Sequence, residues 1–233
     1  MRKVTRALVS FVQNELGSLA DPAKAGPMQA YLKTRQPFYG VQKPERETIL
    51  KRLKEEFRPP DRQVWEEGVL ALWSLPHREE QYLAIRYAAL SPEYVDHISL
   101  ALSNRLVREG AWWDLVDAAV GSLVSPALLR HREQVRPAMD RWVEDQDLWV
   151  RRAALLSQLR HKEETDEEQL FDHCLRRAEE REFFIAKAVG WALRDYSWTN
   201  PESVLAFLKE HRERLAPLSL REGAKRLQKL GLL

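Results

Sequence analysis

Of 233 residues only one is cysteine, Cys174, which excludes a disulfide framework and any metal site built from several thiolates. With 9 glycines and 12 prolines the chain is too poor in both to be collagen-like or low-complexity. Neither sign of charge dominates: 37 Lys+Arg against 35 Asp+Glu leaves +2. A polyanion partner must therefore be argued from where the cations sit, not from an overall excess of base. No stretch reaches the ~18–20 uninterrupted apolar residues that a membrane span needs. Residues 1–20 start basic but soon carry Asn14 and Glu15, and their apolar residues recur at helical spacing, whereas the core of a secretory leader is continuous. This segment reads as an amphipathic helix of the folded protein, and a lone reduced thiol fits a cytoplasmic setting. The familiar catalytic signatures are absent too: no Walker P-loop, no G-x-G-x-x-G, no G-x-S-x-G and no H-E-x-x-H. The six histidines are scattered in mostly charged contexts that suit surface or capping roles, and Cys174, in a helical stretch, reads as a small core residue.

What is present is helix. The chain is 44% hydrophobic and 31% charged, enough apolar material for a real core, and its length allows one large domain or two small ones. Val4, Ala7, Leu8, Phe11 and Val12 fit one helical stripe. Trp65, Val69, Leu72 and Trp73 fit another, with Pro59-Pro60-Asp61 as the break before it. Further helical stretches run over roughly 82–90, 92–108, 112–123, 126–143, 147–161, 165–179, 182–196, 201–209 and 219–231. Short separators carry helix-start residues, as in Ser91-Pro92-Glu93, Ser125-Pro126 and Asn200-Pro201-Glu202. No alternating strand is evident. The pattern predicts an all-α chain of stacked antiparallel helix pairs, about 35–45 residues per pair, in the range of HEAT-like repeats, forming a single domain over 1–233. An irregular helical bundle fits the same pattern.

Three segments depart from plain amphipathicity. In residues 111–120, Trp112, Leu115, Val116, Ala119 and Val120 share one apolar face, while Trp113 and Asp117, four apart, stack one turn above the other at its rim. A half-exposed indole and a solvated acid account for that helix taken alone. In residues 149–159, Arg152 falls inside the apolar stripe of Trp149, Ala153, Leu156 and Leu159. Arginine cannot shed its charge, so it must cover the core with its methylenes or stand beside a carboxylate or phosphate. In residues 183–196, Lys187, Gly190, Trp191 and Arg194 gather opposite the apolar face. They form either a platform for a nucleic-acid backbone or a surface packed on another helix.

Together these segments resemble the AlkD type of bacterial DNA alkylation repair proteins, which are alkylpurine DNA glycosylases. The resemblance is carried by residues 112–117 (WWDLVD), 148–156 (LWVRRAALL) and 187–196 (KAVGWALRDY), and by Met28–Tyr31, Lys33 and residues 37–46 (PFYGVQKPER). It spans nearly the whole chain in the same order. It implies an all-helical solenoid with a concave DNA-binding face, and it carries active-site roles to Trp113, Asp117, Arg152 and Trp191. Lys187, Gly190 and Arg194 are expected to contact DNA, with Tyr31, Gln42, Lys43 and Arg46 as secondary contacts. The implied activity is hydrolysis of the N-glycosidic bond of cationic N3- or N7-alkylpurines in duplex DNA, the excision step of base repair. No metal or other cofactor is expected, nor a membrane association. The protein would act as a monomer, in the cytoplasm on the nucleoid. Two other classes fit the scaffold: a non-catalytic binder of unusual DNA structures, and a protein-interaction repeat.

Overall fold

The computed structural model describes residues 2–233, and every regular element among them is helical. The chain divides into two compact units, Met1–Val95 and Asp96–Leu233. No helix among the described residues is long and apolar enough to cross a membrane.

The first unit holds α1 (Lys3–Ser18), α2 (Pro22–Leu32), α3 (Lys43–Glu56), α4 (Arg62–Trp73), α5 (Arg78–Ala89) and a 3₁₀ turn, Pro92–Tyr94. The expected break before α4 is present, with the Asp61 side chain accepting from the Val64 amide at 2.8 Å as a helix cap. α1 buries Thr5, Leu8, Val12 and Leu16, a stripe turned slightly from the one the sequence suggests, because Val4 is left 42% exposed. The link between α2 and α3 is clamped from the start of α5, where Arg78, Glu79 and Glu80 are all buried. The Glu79 carboxylate accepts from the amides of Tyr39 (3.1 Å), Gly40 (2.9 Å) and Val41 (3.1 Å). Glu80 accepts from the Tyr39 hydroxyl at 3.0 Å. Gly40 has φ +86°, and a Cβ there would lie 2.0 Å from the Asp21 carbonyl oxygen, so only glycine fits this turn.

The second unit holds α6 (Leu100–Gly110), α7 (Trp113–Ala119), one π-turn (Val120–Val124), α8 (Ser125–Arg130), α9 (Arg132–Trp142), α10 (Leu148–Leu155), a 3₁₀ turn (Lys162–Glu164), α11 (Glu167–Arg176), α12 (Phe183–Tyr196), α13 (Pro201–Glu210) and α14 (Pro217–Lys229). Its long-range hydrogen bonds run in step. Asp117 meets Arg152 and Ser125 meets His161, so α7–α8 lies beside α10 with the same direction. Arg152 meets Phe184 and Arg160 meets Asp195, which sets α10 beside α12. Ala186 meets Ser219 and Arg194 meets Glu222, which sets α12 beside α14. A second ladder joins α9 to α11 through Arg136–Gln169 and Asp140–His173. α13 follows, its Phe207 stacked on Phe171 at 4.5 Å. Consecutive helices thus alternate between two layers, and helices of one layer run parallel. The pairings just described join residues 28 to 36 apart, Arg108 of α6 reaches Asp145 over 37, and those clamping the α2–α3 link in the first unit join residues 38 to 41 apart. The spacings in the second unit thus run from below the length the sequence suggests into its lower end.

Three expected helices are interrupted. Residues 92–108 break because the Asp96 side chain accepts from the Ile98 (3.0 Å) and Ser99 (3.1 Å) amides, a local turn that competes with helix. Residues 126–143 part at His131, with φ −130°. Residues 147–161 end as helix at Leu155, and Arg160 (φ 67°) and Lys162 (φ 53°) take left-handed conformations beyond it.

Replacing Glu79 by alanine leaves three amides of the α2–α3 link without their acceptor. The expected loss is about 3 kcal/mol or more of unfolding free energy, read as a lower urea midpoint with the helical circular-dichroism signal retained in the absence of denaturant.

Candidate functional site

The segment chemistry resolves first at Arg152. Asp147 caps α10, its side chain accepting from the Trp149 amide at 2.7 Å, and the helix buries Trp149, Val150, Ala153 and Ala154 together with Arg152. The Arg152 residue is only 3% exposed. Its charge is met edge-on by Asp117 of α7: Nε donates to Oδ1 and Nη2 to Oδ2, both at 2.8 Å. Nη1 donates to the Phe184 carbonyl oxygen at the start of α12, at 2.7 Å. One guanidinium therefore joins three successive helices of one layer. Of the two outcomes the spacing allows for Arg152, the carboxylate partner is the one present.

Asp117 keeps an outlet that Arg152 lacks, its side chain being 18% exposed. Burial raises its pKa above the ordinary aspartate value, the Arg152 hydrogen bonds and charge oppose that rise, and nearby Asp114 adds to it. A carboxylate offers about four lone-pair directions, and Arg152 takes two. The others can face water or a developing positive charge. Trp113 sits one turn before Asp117, half-buried at the start of α7. Trp191, also half-buried, lies on α12 seven residues after Phe184, two helical turns along the same side. A separate cluster backs the ion pair: Trp112, Trp149 and Phe184 stand 4.8 to 5.8 Å apart between ring centroids.

The structure places the other expected residues differently. Gly190 is buried, and a Cβ there would lie 2.5 Å from Glu222 Cβ and 2.8 Å from the Ser219 carbonyl oxygen. Its smallness lets α12 and α14 approach each other, which corrects its expected role as a bare patch for a nucleic-acid backbone. Lys187 and Arg194 each reach the buried Glu222 of α14 at 2.8 Å, and Lys225 reaches it at 2.6 Å. The sequence platform is thus largely the α12–α14 packing surface. Tyr31, Gln42, Lys43 and Arg46 belong to the first unit. Tyr31 is 74% exposed, and Gln42 and Lys43 lie exposed at the start of α3. Arg46 instead donates to the Val41 carbonyl oxygen at 2.6 Å and covers the Tyr82 ring at 4.7 Å, a role in holding the link. Among the described residues no group of three His, Cys, Asp or Glu is placed to hold a metal ion.

Sequence reasoning misses the Phe184 carbonyl, a backbone group without a side-chain signature, and the π-turn after α7. It also misses Glu222, whose only signal is an acid within an otherwise basic α14, residues 217–229.

A family model described as "DNA alkylation repair enzyme" matches residues 12–227. A solved structure described as a predicted DNA alkylation repair enzyme from Enterococcus faecalis is 33% identical, with a TM-score of 0.81, covering 88% of this chain and 95% of that one. AlkD2 from Streptococcus mutans has a TM-score of 0.57 at 15% identity, covering 77% of this chain and 98% of its own. The smu.31 protein of Streptococcus mutans UA159 has a TM-score of 0.58 at 16% identity over the same shares. These last two are alike in fold. None of the curated proteins is similar enough to match.

Two outcomes test the α12–α14 packing. Gly190→Ala forces backbone apart and is expected to lower stability by about 1–3 kcal/mol in a denaturant titration. For Glu222, burial would raise the carboxyl, but hydrogen bonds from Lys187 and Lys225 prevail and hold it at about 2 against an ordinary 4.5. A depressed folded pKa contributes its full stability above 4.5 and loses it as pH falls towards about 2. Glu222→Gln should therefore melt lower than the parent at pH 7, with the gap closing as melts are repeated down through that window.

Proposed function

The chain belongs to the DNA alkylation repair enzyme family, and from that premise we propose that it is a DNA glycosylase releasing cationic N3- and N7-alkylpurines from duplex DNA. The observation that carries this reading is the Asp117 carboxylate, locked edge-on by the buried Arg152 and still open on one side. Alkylation at N3 or N7 makes the purine a positively charged leaving group, so protonating it is unnecessary. As the C1′–N bond breaks, its electron pair returns to the purine, which leaves neutral, and positive charge develops on the deoxyribose. That transition state resembles the oxocarbenium ion of glycoside hydrolysis. A fixed carboxylate stabilises such a charge without reorganising during the reaction. It also accepts a hydrogen bond from the water that adds at C1′, whose proton passes to solvent.

Arg152 acts in this scheme on Asp117: three of its N–H groups are engaged within the protein, which favours orientation of the acid over contact with phosphate. Trp113 and Trp191 are assigned the aromatic faces that attract a cationic sugar or base. Lys43, Gln42 and Tyr31 remain candidates for backbone contact, and Lys187 and Arg194 lie partly open beside their Glu222 pairing. No cofactor is assigned, and the protein would act as a monomer on duplex DNA. The match over residues 12–227 supports reading the chain as one repeat domain.

Asp117→Asn is expected to cut release of 7-methylguanine from methylated duplex by about an order of magnitude or more while duplex affinity is retained. Because the change also loosens the hold on a buried arginine, a circular-dichroism melt must accompany the assay. Full activity in a folded Asp117→Asn protein removes the acid from the mechanism, and binding without any base release by the parent identifies a structure-specific binder instead. Duplex affinity should fall steeply with added salt, as for several Lys/Arg–phosphate contacts, in an anisotropy titration across ionic strengths.

A further inference from the structure

An open groove of about 720 Å³ runs between α13 and α14, and neither Asp117 nor Arg152 lines it. Leu208 of α13 and Leu220 and Ala224 of α14 supply apolar lining, while Lys209, Arg212 and Arg221 line it with positive charge. No Asp or Glu side chain lines it, and Leu233 lines its far edge. Along the neighbouring layers many cations are matched by acids: Lys187, Arg194 and Lys225 on Glu222, Arg176 and Arg177 on Glu144, Arg151 on Glu180. Among the described residues none of the three groove cations has an ion-pair partner, and all three are exposed. Leu220 and Ala224 are only half-buried, on one side of α14 at i and i+4.

We propose that this groove is a docking site for an acidic amphipathic segment of a partner protein. The occupant follows from the chemistry. A nucleic-acid backbone would use the three cations but leave the Leu208–Leu220 lining without a match. A purely apolar partner would leave three charges on the rim partly desolvated and unpaired, which is costly. An amphipathic helix with leucines on one face and glutamates flanking them answers both halves, in the helix-in-groove mode. The three cations also steer an acidic segment towards the groove and reject a basic one.

The probe is a fluorescein-labelled sixteen-residue peptide with Leu at helical i, i+4, i+7 and i+11 and Glu at most other positions, titrated with the full chain by anisotropy at near-physiological salt. Saturable binding is expected, weakened by about tenfold or more in Arg212→Glu/Arg221→Glu. The same peptide with its leucines changed to alanine should bind at least as weakly. The two charge changes lie on exposed positions, and an unchanged melting curve shows that the protein is intact. No binding, equal binding of the alanine peptide, or equal binding by the charge-reversed protein each overturns the proposal. So does displacement of the peptide by undamaged duplex coupled to loss of duplex affinity in Arg212→Glu/Arg221→Glu, since the groove would then belong to nucleic acid. These outcomes are independent of base release, so this proposal and the glycosylase reading can fail separately.

Discussion

A buried guanidinium that cannot be neutralised sets the terms for the second unit. A guanidinium keeps its charge in proteins, and removing one partner of such a buried pair costs about 3–5 kcal/mol. Folding that buries Arg152 must therefore bring Asp117 to it, and the edge-on geometry leaves the carboxylate one orientation. The Phe184 carbonyl adds a third point of attachment. The helices that carry Trp113, Arg152 and Trp191 are then placed relative to one another by a single side chain. An acid that must meet a short-lived positive charge gains from this, because its position is set before substrate arrives.

The same device recurs one step further along the layer with the signs exchanged. Glu222 is the buried group there, and Lys187, Arg194 and Lys225 close over it. Each long-range tie spans roughly one helical pair, so the repeat is held by ionic stitches as well as by apolar packing. Gly190 explains why the second stitch can be so close, since no side chain stands between α12 and Ser219. In the first unit the corresponding work falls to Glu79, which fastens the α2–α3 link through backbone amides instead of cations.

Much of this is legible in the sequence, and the exceptions have physical causes. Helical periodicity locates most of the helices, and Arg152 stands out because a charge on an apolar stripe demands a partner. The identity of that partner, 35 residues away, is invisible to a helical wheel, and the resemblance, which names both residues, leaves carboxylate and phosphate open for Arg152. Gly190, Lys187 and Arg194 mislead for a related reason: a wheel shows which residues share a face, not what covers it. Trp112 and Trp149 fall correctly on apolar faces, but their convergence on Phe184 depends on three helices meeting. The break at Asp96 lies within a stretch whose apolar residues run on, so periodicity passes over it, and the break at His131 falls in a polar run, residues 130–134, of a kind that a helix can also hold.

The π-turn at Val120–Val124 has a consequence for how the chain tolerates change in length. In an unbroken α-helix, residues eight apart differ by about 80° in facing, so Asp117 and Ser125 would look towards different neighbours. The widened turn accommodates roughly one extra residue and brings Ser125 back into line, where it meets His161 at 2.9 Å while Asp117 meets Arg152. Deleting one residue there would return the widened turn to regular α-helix, and Ser125, then seven residues after Asp117, would stay within about 20° of the same facing. The bulge is a phase adjuster, uncoupling the chemistry at one end of a continuous helical rod from the packing at the other.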